Sequence, residues 1–174
     1  LDLEDRLKEL GVTCVQDEHI LLMKHYSSHK DLRLRYYDFC DMVNPKNEQY
    51  AKLLASRTSS GAASVYEVFT KETLDKIANT FRLFLEAEIV SERLRQNLEN
   101  NKEFSLYDAF KAVDKDKNGY ITLDEFEAIL ADHGVSVTHK DLLSLMERYD
   151  KNRDGRVSYS EFVQEITPKS PKRY

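Results

Sequence analysis

Two stretches of the chain space their oxygen-bearing residues as a hard cation requires. Residues 114–125 read DKDKNGYITLDE and residues 150–161 read DKNRDGRVSYSE. Each offers oxygen at loop positions 1, 3, 5, 7, 9 and 12, with glycine at position 6. In the first stretch Asp114, Asp116 and Asn118 offer side-chain oxygens and Tyr120 its backbone carbonyl. Thr122 stands at the position that usually acts through water, and Glu125 closes the set with both carboxylate oxygens. The second stretch has Asp150, Asn152, Asp154, the carbonyl of Arg156, Ser158 and Glu161 at the same places. Calcium takes about six to eight oxygens at roughly 2.3–2.6 Å, and a tight loop surrounds it only if alternate residues point inward. Gly119 and Gly155 provide the sharp bend, because glycine adopts positive φ without steric cost. Two ions are therefore expected. Three formal negative charges per loop point to affinities on the order of 10⁻⁷–10⁻⁵ M.

The elements that hold such loops are legible around them. Phe110 and Val113 precede the first loop, and Phe126, Ile129 and Leu130 follow it. Leu142, Leu145, Met146 and Tyr149 precede the second, and Phe162 and Ile166 follow it. These are helical spacings of one apolar face. Ile121 and Val157, at position 8 of each loop, are expected to pair as a short β-bridge joining the loops back to back.

Residues 103–166, and above all DAFKAVDKDKNGYITLDEF, resemble a paired EF-hand lobe of the calmodulin, troponin C and centrin superfamily. The resemblance implies an all-α fold of helix–loop–helix pairs and cooperative calcium binding. It also implies an apolar groove that opens with calcium, here lined by Phe110, Ile129, Leu145 and Met146.

A shift of 123 residues lays the start of the chain on its end. Gly11-Val12 meets Gly134-Val135, Leu22-Met23 meets Leu145-Met146, Phe39 meets Phe162, and Pro45-Lys46 meets Pro168-Lys169. An ungapped internal repeat means a shared supersecondary unit. Against Asp150, Asn152, Asp154, Gly155 and Glu161 stand Ser27, His29, Asp31, Leu32 and Asp38. Only Asp31 keeps its ligand type, and Lys30, Arg33 and Arg35 bring positive charge. This is a degenerate hand that is expected to keep the fold and lack the ion. By the same alignment residues 1–10 fall on the helix leaving the first loop of a pair, so the N-terminal lobe reads as an incomplete pair. His25 and His29 are four apart, but His29 falls in the loop of the repeat, so helical spacing fails and ordinary histidines are expected.

Between the two lies a connector. KNEQYAKLLASR after Pro45 reads as a short helix and RTSSGAAS (57–64) as a linker. Ser64 and Glu67 offer a capping box for one helix of about 35 residues running to Asn100. Leu74, Ile77, Phe81, Phe84, Leu85, Ile89, Leu94 and Leu98 form its apolar stripe. That stripe serves either the chain's own lobes or an outside helix. The division expected is a degenerate lobe at 1–56, linker and long helix at 57–102, a calcium-binding pair at 103–168 and a basic tail at 169–174.

Composition bounds the function. Hydrophobic residues at 41% with five Gly and three Pro indicate a helix-rich globular chain rather than a disordered one. Residues 103–174 carry 11 basic and 14 acidic side chains (11 − 14 = −3), over half of the net charge of −5. With no basic stripe, nucleic acid is not an expected partner. No apolar run is long enough to span a membrane. Cys14 and Cys40 make no disulfide framework and fit a reducing, cytoplasmic setting. No glycine-rich phosphate loop, nucleophile elbow or HExxH is present, so an enzyme is not expected. Two readings stay open. One is a calcium-responsive adaptor that engages a helical protein partner through apolar surfaces. The other is a structural component with static calcium sites. The degenerate hand, YDFCDMVNPKNEQYAKLLASR, the long helix and the good pair together are similar in layout to EF-hand proteins of cilia and microtubule assemblies.

Overall fold

The computed structural model describes residues 2–15, 18–45, 47–62 and 64–170. Leu1, Lys46 and the last residues of the expected basic tail, 171–174, lie outside the described residues. The chain forms two compact units, residues 1–91 and 92–174, and each is described by itself. Helices dominate both, as expected of an all-α fold of paired hands.

The first unit opens with α1 (Asp2–Glu9). A turn at Gly11, φ 73°, ends it, and the Val12 amide returns to the Leu7 carbonyl. This is the glycine-terminated helix end that satisfies orphan carbonyls. Then come α2 (Glu18–Tyr26) and α3 (Tyr36–Val43), with residues 27–35 between them. Asn47 caps α4 (Glu48–Ala55) by accepting the Gln49 and Tyr50 amides, as the sequence reading of a short helix requires.

The connector departs from expectation. It is two helices: one turn, α5 (Val65–Val68), and then α6 (Lys71–Asn100). The 30 residues of α6 span about 45 Å. Ser64 accepts the Tyr66 amide, and no bond from Glu67 completes the box among the described residues. Val65, Tyr66, Val68, Phe69 and Thr70 are β-branched or aromatic and lose rotamer freedom in a helix. Thr70, accepting the Thr73 amide at 3.3 Å, supplies a second start.

The first half of α6 packs into its own unit. Ala78, Phe81 and Leu85 join Leu7, Val12, Leu22 and Met42 in one buried cluster. Tyr26 and Phe84 ring centroids lie 6.0 Å apart beside it. For this part of the stripe, self-packing holds.

The second unit takes up the last turns of α6, then α7 (Leu106–Val113), β1 (Tyr120–Ile121) and α8 (Leu123–Asp132). It continues through α9 (His139–Tyr149), β2 (Val157–Ser158) and α10 (Tyr159–Ile166). The strands pair antiparallel, Ile121 with Val157 and Tyr120 with Ser158, as expected. Phe110, Ile121, Phe126, Leu142, Met146, Val157 and Phe162 form the core. Phe110 and Phe162 meet edge to face at 5.6 Å. Phe110 and Met146, two residues of the expected groove, are buried here.

Candidate metal centre

Each loop begins where one helix runs out and ends where the next is capped. Asp114 follows the last residue of α7, and its amide still donates to the Phe110 carbonyl. Asp150 does the same after α9, with Met146 as acceptor. Thr122 caps α8 and Ser158 caps α10, each in a reciprocal box with the glutamate three residues on. The twelfth position is thus fixed by helix capping before any ion is considered.

Inside the loops the first acid gathers backbone amides. Asp114 accepts Asn118 N at 3.1 Å on Oδ1 and Gly119 N at 3.0 Å on Oδ2. Asp150 accepts Asp154 N at 3.2 Å and Gly155 N at 2.8 Å in the same way. Asp116 and Asn152 then accept the amides of Asn118 and Asp154, both at 3.0 Å. Asn118 accepts Tyr120 N at 2.8 Å, and Asp154 accepts Arg156 N at 2.9 Å. Lys117 and Arg153, φ 61° and 60°, precede glycines at 88° and 81° by two residues.

Glu125 ties the ends of its loop together. Oε1 accepts the Lys115 amide at 2.9 Å, and Oε2 accepts the Thr122 amide at 2.9 Å and hydroxyl at 2.8 Å. Glu161 repeats this with Lys151 N at 3.0 Å, Ser158 N at 2.9 Å and Ser158 Oγ at 2.6 Å. Burial alone raises the Glu161 carboxyl. The Ser158 hydroxyl and the Ser158, Asn152 and Lys151 amides outweigh it and hold the group below its ordinary value. It is an anion at neutral pH. Tyr120 and Arg156, the two position-7 residues, stack with the guanidinium 4.8 Å from the ring centre.

One carboxylate oxygen each from Asp114, Asp116 and Glu125 lies within 4.8 Å of the others. Among the described residues no other trio of acidic, His or Cys side chains converges this closely. In the second loop position 3 is the neutral Asn152, so the corresponding trio of acids is not available there. An all-oxygen, anionic donor set fits a hard divalent cation, and calcium suits a loop of this size. Thr122 and Ser158 spend their side chains on caps.

The degenerate loop has the same plan with a poorer donor set. Asp38 closes it, accepting Arg35 N at 2.8 Å and Ser28 N at 3.3 Å. Lys30 and Leu32 take φ 55° and 57°, matching Arg153 and Gly155. Arg35 reaches Asp31 with both terminal guanidinium nitrogens, at 3.2 and 2.8 Å. The Arg35 guanidinium, helped by the Ser27 hydroxyl and the Arg33 amide, holds the Asp31 carboxyl far below the usual carboxylate range. His29 bonds Tyr37 OH at 3.1 Å, whereas His25 lies 3.5 Å from Glu88, so the two rings face different neighbours.

Sequence reasoning missed a buried charge cluster beside the second loop. Glu165 sits among Lys151 at 3.0 Å, Lys169 at 3.1 Å, Arg95 at 3.5 Å and Arg148 at 3.6 Å. Glu92 accepts the Lys169 and Ser170 amides. Glu165 with Lys169 and Glu92 with Arg95 are local pairs, but the contacts that join them lie up to 78 residues apart, and no local pattern announces those.

Residues 103–167 match the family model for an EF-hand domain pair. Calhepatin of Lepidosiren paradoxus is 40% identical over 63 residues, 36% of this chain and 83% of calhepatin. A calmodulin-like protein 6 of Oryza sativa subsp. japonica is 35% identical over 74 residues, 42% of this chain and 44% of its own length. Calcium-dependent protein kinase 9 of Arabidopsis thaliana is 40% identical over 81 residues, 45% of this chain and 14% of the kinase. The chain therefore spans less than half the length of the last two proteins.

Proposed function

This chain belongs to the EF-hand family of calcium-binding proteins, and we propose that it is a regulatory adaptor that binds two calcium ions through residues 103–168. Asp114, Asp116, Asn118, Tyr120, Thr122 and Glu125 hold one. Asp150, Asn152, Asp154, Arg156, Ser158 and Glu161 hold the other. The observation that carries this reading is the convergence of Asp114, Asp116 and Glu125 within 4.8 Å, in a loop whose hydrogen bonds the second loop repeats. Bound calcium supplies a divalent charge that the converged carboxylates neutralise, so the folded loops are favoured over the unfolded ones.

In this proposal the degenerate lobe at 1–56 binds no ion, and the linker and helix at 57–102 connect it to the pair. Apolar helix surfaces engage a helical segment of a partner protein in the cytoplasm. Tyr50 and Leu53 on α4, exposed at 62% and 53%, support a partner surface. No helix among the described residues is long and apolar enough to cross a membrane. The kinase similarity is confined to the EF-hand part and gives no reason to propose an enzyme.

One observation favours a second reading, a scaffold component of a cytoskeletal or ciliary assembly with static calcium. The Asp31–Arg35 pair supplies a built-in cation, so one hand holds its form without an exchangeable ion. Melting and hydrophobic-dye binding of the full chain, with calcium and with chelator, separate the two. The adaptor shows a higher melting temperature and more dye bound with calcium. A melting shift with no gain in dye establishes the scaffold instead.

A further inference from the structure

We propose that Ser170 is a phosphorylation site for a proline-directed protein kinase, and that its phosphate releases the backbone of Lys169 and Ser170 from Glu92 on α6. Beyond the end of α10 the Lys169 side chain is held by Glu165, and the backbone of Lys169 and Ser170 is held by a second carboxylate. Glu92, 4% exposed, accepts the Lys169 amide at 2.9 and 3.0 Å and the Ser170 amide at 2.8 Å. It also accepts the Ser170 hydroxyl at 2.8 Å and Arg95 Nη1 at 3.1 Å. Gln96 donates to Ser170 Oγ at 3.1 Å. Burial alone lifts the Glu92 carboxyl, but the two amides, the hydroxyl and Arg95 together bring it below its ordinary value, so the clasp is anionic.

The sequence that follows gives the hydroxyl its enzyme class. Ser170 precedes Pro171, and the third residue on is Arg173. A proline immediately after the acceptor and a base two residues later is the pattern proline-directed kinases select. The co-substrate is ATP. The Ser170 Oγ–P bond forms as the bond between the γ-phosphorus and the β–γ bridging oxygen breaks. ADP leaves, and the hydroxyl proton passes to the kinase's catalytic base.

The product cannot keep the clasp. A phosphoserine carries about −1.5 to −2 charge and no hydroxyl donor. It would stand where a neutral hydroxyl now lies 2.8 Å from a buried anion. Like-charge repulsion and desolvation then oppose docking, and the Lys169 and Ser170 amides lose their acceptor. The same geometry makes release from Glu92 a condition for entering a kinase groove. Glu92→Gln, which weakens the charge-assisted bonds, should therefore raise the phosphorylation rate.

The test treats the full chain with a cyclin-dependent-type kinase and magnesium ATP. Mass spectrometry locates the phosphate, and NMR follows hydrogen exchange at the Lys169 amide, which is not itself modified. The expected result is phosphate on Ser170, absent in Ser170→Ala and slowed about tenfold or more in Pro171→Ala. Phosphorylation should speed Lys169 exchange on the order of tenfold as its acceptor is lost. Phosphate found nowhere, or only on Thr167 before Pro168, overturns the site. Phosphate on Ser170 with Lys169 still protected, as when Arg95 and Lys169 hold the new charge in place, overturns the release.

Discussion

The loop at residues 27–38 and the loop at 150–161 follow one backbone path with different side chains. Position 4 is left-handed in both, at Lys30 and Arg153, and so is position 6, at Leu32 and Gly155. Each closes on an acid at position 12 that accepts the amides of positions 2 and 9: Asp38 from Ser28 and Arg35, Glu161 from Lys151 and Ser158. What differs is the source of positive charge. In the first loop Arg35 provides it within the chain, on Asp31. In the second, our proposal assigns that role to a bound ion. The hand as a fold is thus separable from the hand as a site: amides gathered by carboxylates make the loop in both, whichever cation balances the acids.

The largest expected effect tests whether the first hand stands on its own packing rather than on an ion. Phe81, 7% exposed, sits in the core of the first unit. Phe81→Ala should cost about 3–5 kcal/mol of that unit's stability, as large aromatic truncations in cores do. Thermal melting with NMR reporters in each unit would record it, and calcium affinity should stay unchanged. A matching loss of calcium affinity would break the comparison.

Next are the closing acids. Glu125→Gln and Glu161→Gln each remove the charge of a proposed bidentate ligand, so each should drop its own site out of the titration and leave the other filled. Asp38→Asn should leave calcium titration as it was. Chelator-competition titration of the three variants distinguishes them.

The comparison can also be reversed. Ser27→Asp, His29→Asp, Leu32→Gly, Arg35→Thr and Asp38→Glu together restore donors and remove the internal cation. The combined variant should take up one more calcium than the wild type. Leu32→Gly alone should raise melting slightly, because a non-glycine residue in the left-handed region costs roughly 1 kcal/mol, part of which glycine returns as lost chain entropy.

The smallest effect concerns acid. The Arg35 guanidinium depresses the Asp31 carboxyl in the folded chain. A depressed acid stabilises the fold above its unfolded value of about 3.9, and that contribution is lost as pH falls through the folded value. NMR titration should find Asp31 still ionised at pH ~3. In Arg35→Ala it should protonate nearer the unfolded value.

Much of this was legible in the sequence because loop donors and helix caps are local. Thr122 with Glu125 and Ser158 with Glu161 lie three apart, and the amides they organise lie within ten residues. The repeat held for the same reason: Gly11 and Gly134 both take φ 73°. The start of the long helix is not legible, because an absence of Gly and Pro is not a preference for helix, and the run from Val65 to Thr70 resists it. Arg35 with Asp31 was readable as charge near the loop but not as a bidentate pair. Glu92 was readable at most as a local partner of Arg95, since the amides it gathers lie 77 and 78 residues on.

Calorimetric titration of the metal-free full chain with calcium tests the central claim most directly. The account predicts two ions bound, falling to one in Glu125→Gln and to one in Glu161→Gln. A wild-type stoichiometry of three would contradict it by giving the first hand an ion, and zero would contradict it altogether.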